Sequence, residues 1–268
     1  MALGLGIKCE SLDSGGSGKD IRPPSLNLDG VDDAVYGAAG DSEFDSWDDF
    51  TIIFWIENNK FGYSPNGDTI SLGSAGTNKG GFRYLNYAQT YYFILEDGSG
   101  GGGTASISLA NALNHPKGDI TRFMVGAKGD ASANTITCFG WTEVKGFEES
   151  TTSITYANWG DVGSNVSLVI GGQDSDAGTS LAITEDWSGG GIHNVGMWKS
   201  VLSTANITTI WNNGKPKRSA YEGLSPRHYW EMGADDARLG YPKDLGSTAK
   251  NLSVNGAPRF QKLQDLNP

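Results

Sequence analysis

The run Phe50-Thr-Ile-Ile-Phe-Trp-Ile56 limits what this chain can become more than any other stretch. A strand sends alternate side chains to opposite faces, so Phe50, Ile52, Phe54 and Ile56 point one way while Thr51, Ile53 and Trp55 point the other. Both faces then carry apolar bulk, which only a strand covered on both sides can bury. Similar short runs follow at 69–72, 81–85, 91–95, 120–127, 135–141, 154–156, 168–170 and 192–198, after an opening Ser25-Leu-Asn-Leu28. They are separated by clusters of Gly, Asn, Asp and Ser, and the chain holds 39 glycines and 10% aromatic residues. Many short strands joined by tight turns predict an all-β sandwich of two sheets. At 268 residues one such sandwich accounts for the chain.

One segment has the other periodicity. From Ser203 to Asn212, Ile207, Ile210 and Trp211 fall at i, i+3 and i+4, with Ser203 as the N-cap and Gly214 as the stop. Leu202, Ile207 and Trp211 would lay this short helix across an open sheet end. Ahead of the first strand, residues 1–24 contain Ser14-Gly-Gly-Ser-Gly18 and Arg22-Pro-Pro24, the composition of an arm that orders when something holds it. Residues 216–268 carry turns and short strand-like runs rather than a second core.

Several stretches stand together in an order with a known form. They are Leu26-Asn-Leu-Asp-Gly-Val-Asp-Asp-Ala-Val35, the Phe50 run, the pair 119–127 and 136–141, and Leu168-Val-Ile-Gly-Gly172. Trp187-Ser-Gly-Gly-Gly-Ile-His-Asn-Val-Gly-Met-Trp-Lys-Ser-Val-Leu-Ser203 then closes the series. Over 25–215 the chain resembles the laminin G-like, or concanavalin A-like, domains. That resemblance implies an antiparallel jelly-roll β-sandwich with one short closing helix, an N-terminal arm at 1–24, and a C-terminal extension at 216–268 packed on the sandwich or on a neighbouring subunit. Ser225-Pro-Arg-His-Tyr-Trp-Glu-Met-Gly233, Asp235, Asp236 and Gly256-Ala-Pro-Arg-Phe260 look like an extension of jelly rolls in structural proteins of tailed, often marine, phages. This second resemblance implies a virion protein assembled in a host cytoplasm.

Charge narrows the partners. Thirty-one acidic against 20 basic residues give a net charge of -11, which repels a phosphate backbone. No run approaches the roughly 20 apolar residues of a membrane span, and MALGLGIKCE lacks the basic leader of a signal peptide. Cys9 and Cys138 read as reduced thiols.

Candidate chemistry is sparse. Glu43, Asp45 and Asp48 come within one methylene of the Glu-x-Asp-x-x-Glu pattern of jelly-roll polysaccharide hydrolases, whose two carboxylates must converge on one bond. Asp45-Ser-Trp-Asp-Asp49 has turn chemistry, however, so these acids are expected on a loop before the sheet. Trp47 among them has no assigned partner, unless it packs under the arm and makes this segment a hinge. Gly98, Gly100 and Gly103 have dinucleotide-binding spacing but no helix after them, and read as a flexible hairpin loop. His115, His193 and His228 lie in unrelated contexts without metal-ligand spacing. Asp29, Asp32, Asp33, Asp174 and Asp176 supply loop oxygens of the kind calcium takes, and the resemblance includes domains that hold such an ion; no ligand set is assigned and no other cofactor is expected. Trp55, Trp198 and Trp211 fall at core spacing, whereas Trp159 and Trp187, beside acids and amides, read as loop tryptophans for packing, protein contact or sugar.

The leading expectation is therefore a non-enzymatic virion structural protein that decorates a capsid. Its expected partners are capsid or other virion subunits and copies of itself in a homo-oligomer, not nucleic acid or membrane. A tail-fibre or spike module binding host-surface glycan through Trp159 and Trp187 is the alternative, and a polysaccharide hydrolase the second alternative.

Overall fold

The computed structural model describes residues 25–28, 33–58, 67–73, 80–87, 90–97, 102–109, 121–143, 145–159, 167–174, 183–184, 191–233, 236, 239–256 and 259–261. Among them two large antiparallel sheets face each other. The first runs β10 (Gly146–Ser153), β9 (Thr135–Thr142), β8 (Thr121–Asp130), β3 (Phe50–Asn58), β14 (Gly191–Trp198), β1 (Ser25–Asn27) and β17 (Arg259–Gln261), and β15 (His228–Trp230) also pairs with β14. The second runs β16 (Ser253–Asn255), β2 (Ala34–Tyr36), β11 (Leu168–Ile170), β4 (Gly67–Leu72), β5 (Gly80–Tyr87), β6 (Thr90–Asp97) and β7 (Gly102–Ser108). A small pair, β12 (Gln173–Asp174) and β13 (Ile183–Thr184), stands apart.

The doubly apolar strand sits where its pattern demands, between β8 and β14. Phe50, Ile52, Phe54 and Ile56 join the core between the sheets, and Phe54 meets Tyr84 edge-on at 4.9 Å. Ile53 and Trp55 instead enter a second core on the outer face of the first sheet. There α1 (Thr204–Trp211) and α2 (Arg218–Glu222) supply the cover, with Trp211 stacked on Trp55 at 5.1 Å and on Trp141 at 5.4 Å. The Ser203 side chain accepts from the Asn206 N–H as an N-cap. The stop comes earlier than Gly214: Asn212, at φ 43°, already turns left-handed, a conformation Asn tolerates.

β10 and β7 differ from the sequence reading. The expected strand at 154–156 lies just outside β10, whose run Gly-Phe-Glu-Glu-Ser-Thr-Thr-Ser has no apolar alternation to reveal it. β7 begins at Gly102, so Gly102 and Gly103 are ladder residues rather than loop, while 98–101 lie outside the described residues. The C-terminal segment joins both sheets: β16 pairs with β2, and β17 pairs with β1. Residues 1–24 lie outside the described residues.

Candidate functional site

The acidic stretch before β3 is a structural buckle. Glu43 sits on a 3-10 turn, Ser42–Phe44, and accepts Arg227 Nε and Nη2 at 2.5 and 2.6 Å. This guanidinium holds the Glu43 carboxyl below its ordinary range. Asp41 takes Lys250 at 2.7 Å, so two ion pairs tie the turn to the C-terminal segment. Asp48 accepts its neighbour's N–H, and Asp49 accepts from Ala131 N at 3.1 Å. The three hydrolase-pattern acids thus lie on the loop expected for them, and Glu43 spends both oxygens on Arg227.

Trp47 finds its partners in the body. It is buried, stacks on Trp159 at 4.9 Å and lies parallel to His228 at 6.1 Å. His228 is itself buried beside Trp230 and shares a 2.8 Å hydrogen bond with Asp244. Asp244 also accepts the backbone N–H groups of Tyr229, Gly246 and Lys250, which makes it the hub of the C-terminal segment.

Trp159 requires a correction. It is fully buried among Trp47, Phe50 and Phe82, with its indole N–H donated to Phe44 O at 2.7 Å. A ring enclosed on this many sides offers no face to a sugar or to a partner protein. Trp187, Asp29, Asp32, Asp176, His115 and Cys9 lie outside the described residues. Asp33 and Asp174 are buried, and among the described residues no group of three metal-ligating side chains converges. Cys138 is a free thiol in the core, where burial pushes its pKa up to about 12.

The sheets' outward faces differ. The first is roofed by the α1 and α2 core, whereas the second, over β5, β6 and β7, carries side chains that are only half-buried. Strand register fixes the rows. Arg83, Ile94 and Thr104 lie side by side; Leu85, Tyr92 and Ser106 form the next row; Gly81, Glu96 and Gly102 flank them on the other side. With strands about 5 Å apart and same-face neighbours about 7 Å apart, the patch spans roughly 10 by 14 Å. Phe82, Tyr84, Phe93 and Leu95 turn inward between them and hold these strands to the core.

Arg83 is the fixed point of this patch. Asp68, buried on β4, takes its Nε at 3.0 Å and its Nη2 at 3.3 Å. A bulge between Asp68 and Ile70 brings the aspartate to this face. The pairing holds the guanidinium in one orientation and leaves three of its five N–H donors for other acceptors. Glu96 nearby has its carboxyl raised by burial and lowered in part by Arg83. Among the described residues, neither the Glu96 carboxylate nor the Tyr92 hydroxyl forms a hydrogen bond or ion pair. The signal was in the outward positions of two strands: Arg83 and Leu85 alternate with Phe82 and Tyr84, as Glu96 does with Leu95.

No protein-family model matches the sequence, and no curated protein matches it closely. Solved structures do. The CBM40 of Ruminococcus gnavus IT-sialidase, bound to α2,6 sialyllactose, matches with TM-score 0.51 and 13% identity over 69% of this chain and 96% of its own. Domains LG4-5 of the mouse laminin α1 chain match with TM-score 0.46 and 15% identity over 65% of this chain and 40% of theirs. Tailspike protein 2 of the Escherichia coli O157:H7 bacteriophage CAB120 matches with TM-score 0.44 and 12% identity over 75% of this chain and 29% of its own. At such identities the likeness is one of fold. Two antiparallel sheets enclosing one core, a short closing helix and the sialidase-module match together give this chain the laminin G-like, concanavalin A-like jelly-roll fold.

Proposed function

We propose that the protein is a non-catalytic glycan-binding module of a phage particle and that it takes its glycan on the outer face of β5, β6 and β7. The observation that carries this reading is the half-open patch in which Arg83, locked by buried Asp68, stands beside the unengaged carboxylate of Glu96 and hydroxyl of Tyr92. Recognition of a saccharide needs a few fixed polar groups around an aromatic or apolar surface, and this face has that make-up. The jelly-roll sialidase module seen with sialyllactose lends the reading support. The non-catalytic part rests on Glu43, whose two oxygens are committed to Arg227 in the one stretch that resembles a hydrolase motif. The phage particle rests on the sequence resemblance of the 225–236 segment.

Capsid decoration, the first expectation from sequence, becomes the second reading. One observation favours it: Ser25 pairs with Gln261, so both ends of the described body lie side by side at one edge of the first sheet, a single place for contact with a capsid or with other copies of this chain. Binding of the purified chain to an immobilised glycan array tests the first reading. Saturable binding that is lost in Arg83→Ala is the expected result, with circular dichroism showing the variant folded at a lowered melting temperature because buried Asp68 loses its guanidinium; silence across the array refutes it. Antibody labelling of intact particles separates the two, since labelling spread over the head rather than on the tail supports decoration.

A further inference from the structure

We infer that the ligand of the β5–β7 face is a neutral, hydroxyl-rich saccharide and that the same face discriminates against saccharides bearing carboxylates. This inference rests on the glycan-binding reading and names its substrate class.

The argument begins with the guanidinium. A carboxylate ligand is best held by the two parallel N–H groups of an arginine fork. In Arg83 one such edge, Nε with Nη2, already belongs to Asp68. Local charge points the same way, because one guanidinium faces two carboxylates, Asp68 and Glu96, on a chain of net charge -11. An incoming acid would meet Glu96, whose proton affinity is raised by burial and which has no ion-pair partner among the described residues. Like charges a few ångströms apart at a protein surface weaken binding about tenfold or more.

A pyranose hydroxyl, by contrast, both donates and accepts. Arg83 donates only, Glu96 accepts only, and Tyr92, Ser106 and Thr104 do both, so the patch matches a ring of hydroxyls rather than a single anion. The half-buried Tyr92 side chain adds an aromatic surface to the patch. The cross-strand neighbours of Glu96 in the row, Gly81 and Gly102, bring no side chain beside it. Gly81 and Gly102 hold φ of 136° and 153°, and a Cβ on either would fall 2.0 Å from Leu72 O or 2.2 Å from Leu95 O. Neither position takes a side chain unless that backbone moves.

Matched glycans test the inference on the full chain: lactose beside sialyllactose, and cellohexaose beside an oligogalacturonate, titrated at one ionic strength. The expected result is binding of at least one neutral member with its acidic partner at least about tenfold weaker. Glu96→Gln should weaken the neutral ligand about threefold to tenfold and narrow the neutral-over-acidic preference, with an unchanged melting temperature showing that it folds. Acidic members that bind as well or better, in an Arg83-dependent way, overturn the inference and leave the glycan-binding reading standing. A preference that Glu96→Gln does not move overturns the charge argument. No binding by any member defeats the reading and the inference together.

Discussion

Acidification should destabilise this protein through His193, by an amount that its surroundings set. The ring is fully buried on β14, stacked near Trp55 at 6.1 Å, and its Nδ1 accepts the Asn194 side-chain N–H at 2.7 Å. Protonation would place a second donor at Nδ1 against that amide, and Nε2 stands 3.8 Å from Glu57, too far for a hydrogen bond. Glu57 is in turn paired with Arg122 at 2.6 Å. Burial first, and the Arg122 charge second, depress the His193 pKa from 6.5 to about 3. Above pH 6.5 the ring is neutral in both the folded and the unfolded chain and contributes nothing to the pH dependence. Between 6.5 and 3 the unfolded chain binds a proton that the folded one refuses, so stability falls with falling pH by about 1.4 kcal/mol per unit. From pH 6.5, where the unfolded ring is half protonated, to 4.5 this amounts to roughly 2.3 kcal/mol. Urea unfolding at pH 7.5, 6.5, 5.5 and 4.5 reads it, with His193→Gln as the non-titrating control, since the other titrating groups cancel in the difference between the two proteins. The expected difference is flat above pH 6.5 and changes by that slope below it. Parallel stability curves for the two proteins would refute the reasoning.

Other perturbations follow from the same packing. Trp159→Ala should cost about 3 to 5 kcal/mol, the penalty of emptying a buried aromatic site; equilibrium unfolding measures it, and a loss under 1 kcal/mol would contradict its burial. Glu43→Gln should lower stability by about 1 kcal/mol at most, because Arg227 is more than a third exposed, and should leave reducing-sugar release from polysaccharides no different from that of the parent. Trp211→Ala should uncover Trp55 and Trp141, shifting tryptophan emission to the red and costing about 3 kcal/mol or more. Gly81→Ala should destabilise by over 1 kcal/mol, since its Cβ would meet backbone at 2.0 Å and its φ is positive.

Local pattern was enough to read much of the fold. Phe50 to Ile56 announces a strand buried on both faces because alternation within one strand needs no knowledge of its neighbours. Ser203 with Ile207, Ile210 and Trp211 announces a capped amphipathic helix for the same reason. The order of strands and glycine turns carried the jelly-roll resemblance. β10 escaped because its polar side chains carry no periodic signal, and Gly102 because a glycine run looks like loop whether or not it pairs.

The candidate site was legible only in its parts. Arg83, Tyr92 and Glu96 each stand at an outward position of an evident strand, yet their meeting depends on the register that pairs β5 with β6 and on the bulge that brings Asp68 under Arg83. Trp159 shows the converse: its acidic, glycine-bearing neighbours look like an exposed loop, but Trp47, Phe50 and Phe82, each at least 77 residues away in one direction or the other by sequence number, close around it. The sequence by itself determined which segments must be strand or helix, since that is a matter of side-chain periodicity along one segment. Tertiary structure alone decided which faces are open, which acids are spent in ion pairs and which aromatic rings are enclosed, because each of these depends on chain segments that are distant in sequence and adjacent only once the two sheets have packed.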